Sequence, residues 1–185
     1  MLLFALHRNT VGHSDFAPYT CVNSRHGQQR MDTWQTISIK QPWAALLVAG
    51  VKTVEVRTWS TTLRGPVLIH AGRSADARPE AWAHITTPEL RAAANRLGGL
   101  VGWATLTECR TYLTAEQFAA EAVQHLNPTA WYAPPRLFGF RFVKPQPLPF
   151  RPLPGKLFFF PVNGLVVSPP ELPTAAHQAQ DAPPP

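Results

Sequence analysis

The strand-like runs of this chain are short and do not alternate regularly with helices, and that order constrains the fold more than any other feature. Thr36–Lys40 (TISIK) is β-branched and reads as a strand. Gln41-Pro42 then opens a helix, with Pro42 in the first turn, where its missing N–H is harmless. Trp43, Leu46, Leu47 and Gly50 share one helical face, and Gly50 ends the helix. Thr53–Trp59 (TVEVRTW) alternates, sending Val54 and Val56 to one side and Thr53, Glu55, Arg57 and Trp59 to the other. Gly65-Pro66 turns the chain into an apolar strand, Val67–His70. Pro79–His84 and Pro88–Leu97 pattern as helices; Thr87 caps the second, and Leu90, Ala93, Ala94 and Leu97 form its apolar stripe. After Gly98-Gly99, Leu100–Thr107 reads as a strand. Thr114-Ala-Glu-Gln117 has the form of a capping box for a helix that buries Phe118, Ala122, Val123 and Leu126 and stops at Asn127-Pro128. Leu137–Val143 and Lys156–Val162 are the closing strands. The prolines between them, from Pro145 to Pro154, place that connection at an edge of the sheet or outside it.

A doubly wound parallel sheet needs strand–helix alternation, which this order lacks. Five to six short strands with three to four helices packed around them predict an α+β fold, a small closed or nearly closed β-barrel. The domain is expected over 33–167. Residues 1–32 carry little periodicity and are expected to be a poorly ordered N-terminal extension, either an arm or an upstream extension of the reading frame. Residues 168–185 hold six prolines and few large apolar side chains, a composition expected to stay disordered.

Charge narrows the partners. The chain has 17 Lys and Arg against 11 Asp and Glu, a net +6, which favours polyanions such as RNA. Cys21 and Cys109 make neither a disulfide framework nor a metal motif, which fits a reducing cytoplasm. The seven histidines are scattered without metal-ligand spacing, and there is no P-loop or dinucleotide-binding glycine motif, so no metal or cofactor is expected. No run approaches the roughly 20 apolar residues of a membrane helix. These features predict a soluble, cytoplasmic monomer with no membrane association and no obligate protein partner.

The segment from Ser38 to Ala71 carries the chemistry. Gly50-Val51-Lys52 sets an ammonium at a helix-to-strand corner, and Glu55 and Arg57 project from one face of the next strand about 7 Å apart. Lys40 and Gln41 stand where the first strand meets the helix, whose N-terminus offers free donors. Cations, one carboxylate, amide donors and the indoles of Trp43 and Trp59 suit a base-plus-phosphate ligand.

Three blocks in this order, S-I-K-Q-P-W-A, then G-x-K-x-x-E-x-R-x-W, then R-G-P-x-L-I-H-A, resemble the signature of the ASCH domain family within the PUA-like group. The resemblance implies a PUA-like barrel with a cleft beside the first helix, in a family associated with RNA binding, RNA processing or nucleotide metabolism. Carried over residue by residue, it makes Lys52, Glu55 and Arg57 the polar residues of the cleft. Ser38, Lys40 and Gln41 would line its rim with Trp43 nearby, and Arg64 and His70 come from the third block. The ligand it implies is RNA, a nucleotide or a nucleoside.

One branch of the family resembles an acyl-cytidine amidohydrolase using a lysine, a threonine three residues later and a glutamate on a later helix. Here Lys52 is followed by Glu55 at the threonine position, and Glu121 matches the later glutamate. A hydrolase acting on a modified nucleoside or on RNA, with Lys52 and Glu55 as its catalytic pair, is therefore the alternative to a binding domain. RNA cleavage would use Lys52 and Arg57 on the phosphate with Glu55 or His70 as base. A third class, a protein-interaction module, would present the proline-rich stretches 145–154 and 168–185 as extended ligands.

Overall fold

The computed structural model describes residues 33–165; the expectations for 1–32 and for 168–185 lie outside them. The strands are β1 (Thr33–Gln41), β2 (Val54–Arg57), β3 (Gly65–Ala75), β4 (Gly99–Tyr112), β5 (Leu137–Pro152) and β6 (Phe159–Asn163). The helices are α1 (Trp43–Val48), α2 (Pro79–Trp82), α3 (Pro88–Ala94), α4 (Ala115–Ala119) and α5 (Ala122–His125), with a single 3-10 turn at Thr129–Trp131. The strands form one mixed six-stranded sheet in the order β2-β5-β4-β3-β1-β6. Only β1 and β3 run parallel; the other pairs are antiparallel.

The α+β fold is the expected one, but the hydrogen-bonded ladder is not closed. β2 and β6 are its edges among the described residues. Side chains from β2 and the residues just after it reach across to β1 and β6. Arg57 Nη2, on β2, donates to Ser38 O, on β1, at 2.6 Å. Trp59, just past β2, meets Phe159, on β6, edge-on at 5.3 Å between ring centroids.

Alternation along the strands separates two apolar layers. Ile37, Ile39 and Ile69 pack with Ala44, Leu46 and Leu47 of α1 and with Phe140 and Phe142 of β5. Trp34, Leu68, Leu100, Trp103, Phe160 and Val162 form a second cluster. Gln41 fastens α1 to α3. Its Nε2 donates to Ala93 O (3.1 Å) and Arg96 O (3.0 Å), and its Oε1 accepts from Ala45 N (3.0 Å). The carbonyls at the end of α3 and one donor at the start of α1 thereby gain the partners that helix ends lack.

Several local expectations are corrected. β5 runs past Val143 to Pro152, and Pro145, Pro147 and Pro149 lie within it. β2 pairs with β5 only over Phe138–Arg141, so the proline-bearing part has β4 as its one neighbour and forms a local edge. A missing N–H costs nothing on an open side, and register shifts opposite β4 accommodate the kinks. The helix after Thr114 is two short helices with a break at Ala120–Glu121. Thr114 caps as expected, but Gln117 Oε1 accepts from Leu113 N, one residue before the capping-box position. Val123 is 77% exposed, not buried. The inward face is Phe118, Glu121 and His125, because Glu121 turns in to meet Arg110, Tyr112 and Arg141. Leu97 lies beyond the end of α3 and is exposed.

Close packing of α1 on the sheet yields a test. A Cβ on Gly102 would lie 2.6 Å from Gln146 O and 2.7 Å from Val48 Cγ2, so Gly102→Ala must displace either β5 or α1. Overpacking of this kind costs about 1–3 kcal/mol. Urea unfolding should show a loss in that range with an unchanged m-value.

Candidate functional site

Two local features deliver the central side chains. Gly50 takes φ +75 at the end of α1, and Val51 N and Lys52 N both donate to Leu46 O, at 3.0 and 3.1 Å. That tight corner turns Lys52 under the helix. Two residues on, β2 begins, and its period sends Glu55 and Arg57 to the same side as Lys52.

The three charges converge. Lys52 Nζ is 3.6 Å from Glu55 Oε2, and Arg57 Nη2 is 3.3 Å from Glu55 Oε1. Lys52 is almost wholly buried: Nζ donates to His125 O at 2.7 Å and sits 5.0 Å from the centroid of the Trp43 ring. Burial, opposed in part by Glu55, pushes its pKa down from 10.5 to about 8. Arg57 keeps a buried Nε with no protein acceptor among the described residues. The groups face an open cleft of about 280 Å³, lined also by Lys40, Trp43 and Val56 and by the backbone side of Ser38.

The opposite wall comes from the loop after β3. Asp76 accepts from Trp43 Nε1 (2.9 Å) and from Arg78 through N (3.1 Å), Nε (2.9 Å) and Nη2 (2.5 Å). These donors, Arg78 first, hold the Asp76 carboxyl far below its ordinary range. The Arg78 guanidinium lies 3.5 Å over the Trp131 ring. Asn127 completes the lining just past α5.

Residues 37–145, more than half of the chain, match the family model described as ASCH domain. The chain belongs to the ASCH domain family. Over 50 residues it is 42% identical to activating signal cointegrator 1 of Homo sapiens and to that of Mus musculus, a stretch that is 27% of this chain and only 9% of those proteins. The crystal structure of ASCH from Zymomonas mobilis aligns with a TM-score of 0.46 at 17% identity, covering 64% of this chain and 73% of that one.

Within this ASCH domain, Ser38, Lys40, Trp43, Lys52, Glu55 and Arg57 are brought to the cleft, and the other expected site residues are not. Gln41 is fully buried in its link between α1 and α3 and occupies a donor at the start of α1. Trp59 packs among Phe140, Phe158 and Phe159. Arg64 is exposed and donates to Thr61 O and Leu63 O of its own turn. His70 is fully buried. Its Nε2 lies 2.8 Å from Leu153 O, which can only accept, so Nδ1 faces Ser38 Oγ, 3.2 Å away, as the acceptor. Burial holds its pKa below the ordinary value. The Ser38 hydroxyl is thus turned to His70 and Gly155, while its carbonyl meets Arg57. Glu121 is held by Arg110, Tyr112 and Arg141 and does not line the cleft.

Asp76, Arg78, Asn127 and His125 escaped the sequence reading. His125 donates from Nε2 to Phe118 O (2.8 Å), accepts Asn127 N at Nδ1 (3.0 Å), and gives Lys52 its carbonyl. It is therefore a neutral positioning residue. The sequence carries an Asp76-Ala77-Arg78 run, but nothing in it places that run against Trp43.

Asp76 gives a pH-dependent test. Its folded pKa lies below its ordinary 3.8, so its stabilisation is complete above that value and fades as the pH falls through and below it. Asp76→Asn should cost about 2 kcal/mol at neutral pH, the scale of hydrogen bonds to a charged group. It should also flatten the acid limb of the stability curve, measured by denaturant midpoints between pH 7 and pH 3.

Proposed function

We propose that this ASCH domain binds RNA or a nucleotide and holds one base or nucleotide unit in the Lys52–Glu55–Arg57 cleft. The observation that carries this reading is the convergence of an ammonium, a carboxylate and a guanidinium, with separations of 3.3 and 3.6 Å, on one open hollow. Glu55 is an acceptor for an exocyclic amine or ring N–H. Lys40, Arg57 and Arg78 are the cations available to phosphate. Lining charges sum to an excess of two positive, Lys40, Lys52, Arg57 and Arg78 against Glu55 and Asp76. A volume of about 280 Å³ is at the small end of ligand sites and suits one nucleotide unit rather than a duplex. Trp43 acts as a wall, not a stacking platform, because it is 6% exposed and faces Lys52.

A hydrolase of modified nucleosides or of RNA is the second reading. What favours it is Lys52, whose pKa near 8 beside Glu55 is the kind of perturbation that acid–base sites use. Against it, the amidohydrolase branch needs a hydroxyl nucleophile near the lysine. The Ser38 hydroxyl is directed to His70, and Glu121, the counterpart of that branch's later glutamate, stands outside the cleft.

Ribonucleoside monophosphates and short single-stranded RNAs, titrated by calorimetry, test the proposal. Glu55→Gln and Arg57→Ala should each weaken binding at least tenfold, about 1.4 kcal/mol. Affinity should fall as the pH rises through about 8, where Lys52 loses its proton, and should fall with added salt. Unchanged affinity in both variants would remove the cleft from the account. Turnover of acylated cytidine or RNA, lost in Lys52→Met, would move the assignment to the hydrolase.

A further inference from the structure

We propose that the loop 154–158 is a second contact site for single-stranded nucleic acid, receiving the bases that continue out of the cleft; the inference rests on the binding reading above. Leu157 is 84% exposed and Phe158 61% exposed, side by side, with Lys156 exposed next to them. Phe158 has φ +58, a region that bulky residues rarely adopt. The backbone thus holds an aromatic ring outward in a conformation that residue type disfavours.

One end of this loop touches a residue of the cleft rim, and the other touches a neighbour of one. At Gly155 an added Cβ would lie 2.5 Å from His70 Cε1 and 2.8 Å from Ser38 Oγ, so the loop backbone lies against Ser38. The same Ser38 gives its carbonyl to Arg57. At the other end Phe158 meets Trp59 edge-on at 5.2 Å, and Trp59 is two residues beyond Arg57. Trp59 is itself braced by Phe140 at 4.9 Å and Phe159 at 5.3 Å. The result is an aromatic group near the Ser38–Arg57 side of the cleft, with a cation next to it.

Aromatic rings interleaved with cations suit single strands, because every base has a face to stack and every linkage carries a phosphate. The cleft accommodates one nucleotide unit, so the rest of a strand must lie on the surface. The ties through Ser38 and Trp59 to the Arg57 side of the cleft, the exposed Lys156 and the chain's net charge of +6 favour a nucleic acid over an apolar peptide as occupant.

The test uses the full chain with two probes, the four ribonucleoside monophosphates and the matching single-stranded hexanucleotides, by calorimetry and fluorescence anisotropy. Phe158→Leu keeps apolar bulk and removes the ring. It should weaken hexanucleotide binding about tenfold, the scale of one lost stacked base, and leave monophosphate affinity unchanged. Phe158→Tyr should retain hexanucleotide affinity within about twofold. Lys156→Ala should reduce the salt slope by about one. Hexanucleotide binding that is lost in Glu55→Gln but indifferent to Phe158→Leu would overturn the loop site and leave the cleft reading standing. Binding indifferent to Glu55→Gln would overturn the cleft reading itself. Self-association abolished by Phe158→Leu, with RNA affinity unchanged, would assign the loop to a protein contact and overturn the inference.

Discussion

The buried ammonium of Lys52 is the interaction on which the rest of the site depends. It is fully desolvated, and the drop in its pKa from 10.5 to about 8 corresponds to roughly 3 kcal/mol against the charged form. That is what remains with the Glu55 carboxylate on β2 already opposing burial, and the ammonium is also held by the His125 carbonyl at the end of α5 and the face of Trp43 at the start of α1. Because one cation binds all three, it fixes where α1, β2 and α5 meet. Glu55, held between Lys52 and Arg57, is thereby presented to the cleft in a defined position. An apolar side chain at position 52 would fill the space without a desolvation cost, and buried ions add little to stability by themselves. Under the binding proposal, the charge is chemistry offered to a ligand.

A second polar layer supports the first. Asp76 fixes the Trp43 indole through Nε1, and the same carboxylate aligns Arg78 across Trp131. The wall of the cleft opposite Glu55 is thus as constrained as the floor. The β2 side of the cleft lies at the open side of the sheet, where β2 and β6 do not pair; there Arg57 reaches Ser38 on β1 and Trp59 meets Phe159 on β6.

What the sequence disclosed, it disclosed through short-range geometry. The spacing of Lys52, Glu55 and Arg57 on a glycine-ended helix and a period-two strand placed three charges on one side, and the structure brings them within 3.6 Å. Asp76 and Arg78 lie in an irregular loop about 20 residues further on, where no periodicity says which way a side chain turns. His125 ends α5 and Asn127 lies just past it, after a break at Glu121 that goes with tertiary ion pairs to Arg110 and Arg141, so local patterning places Val123 inside instead. His70 and Gln41 belonged to the right blocks of sequence but serve the fold: one satisfies Leu153 and Ser38, the other joins α1 to α3. The length of β5 was hidden for a similar reason. Prolines read as strand breakers are harmless where β2 has already ended.

The NMR signal of the Lys52 side-chain ammonium, followed while a ribonucleoside monophosphate is added near pH 7, reports on the cleft itself. The signal should already be protected from solvent exchange in the free protein, because Nζ is held by His125 O and Glu55. On titration it should shift with saturation in step with the Arg57 side chain. Perturbations confined to residues away from the cleft, with Lys52 and Arg57 unmoved at saturating ligand, would rule the cleft out as the binding site.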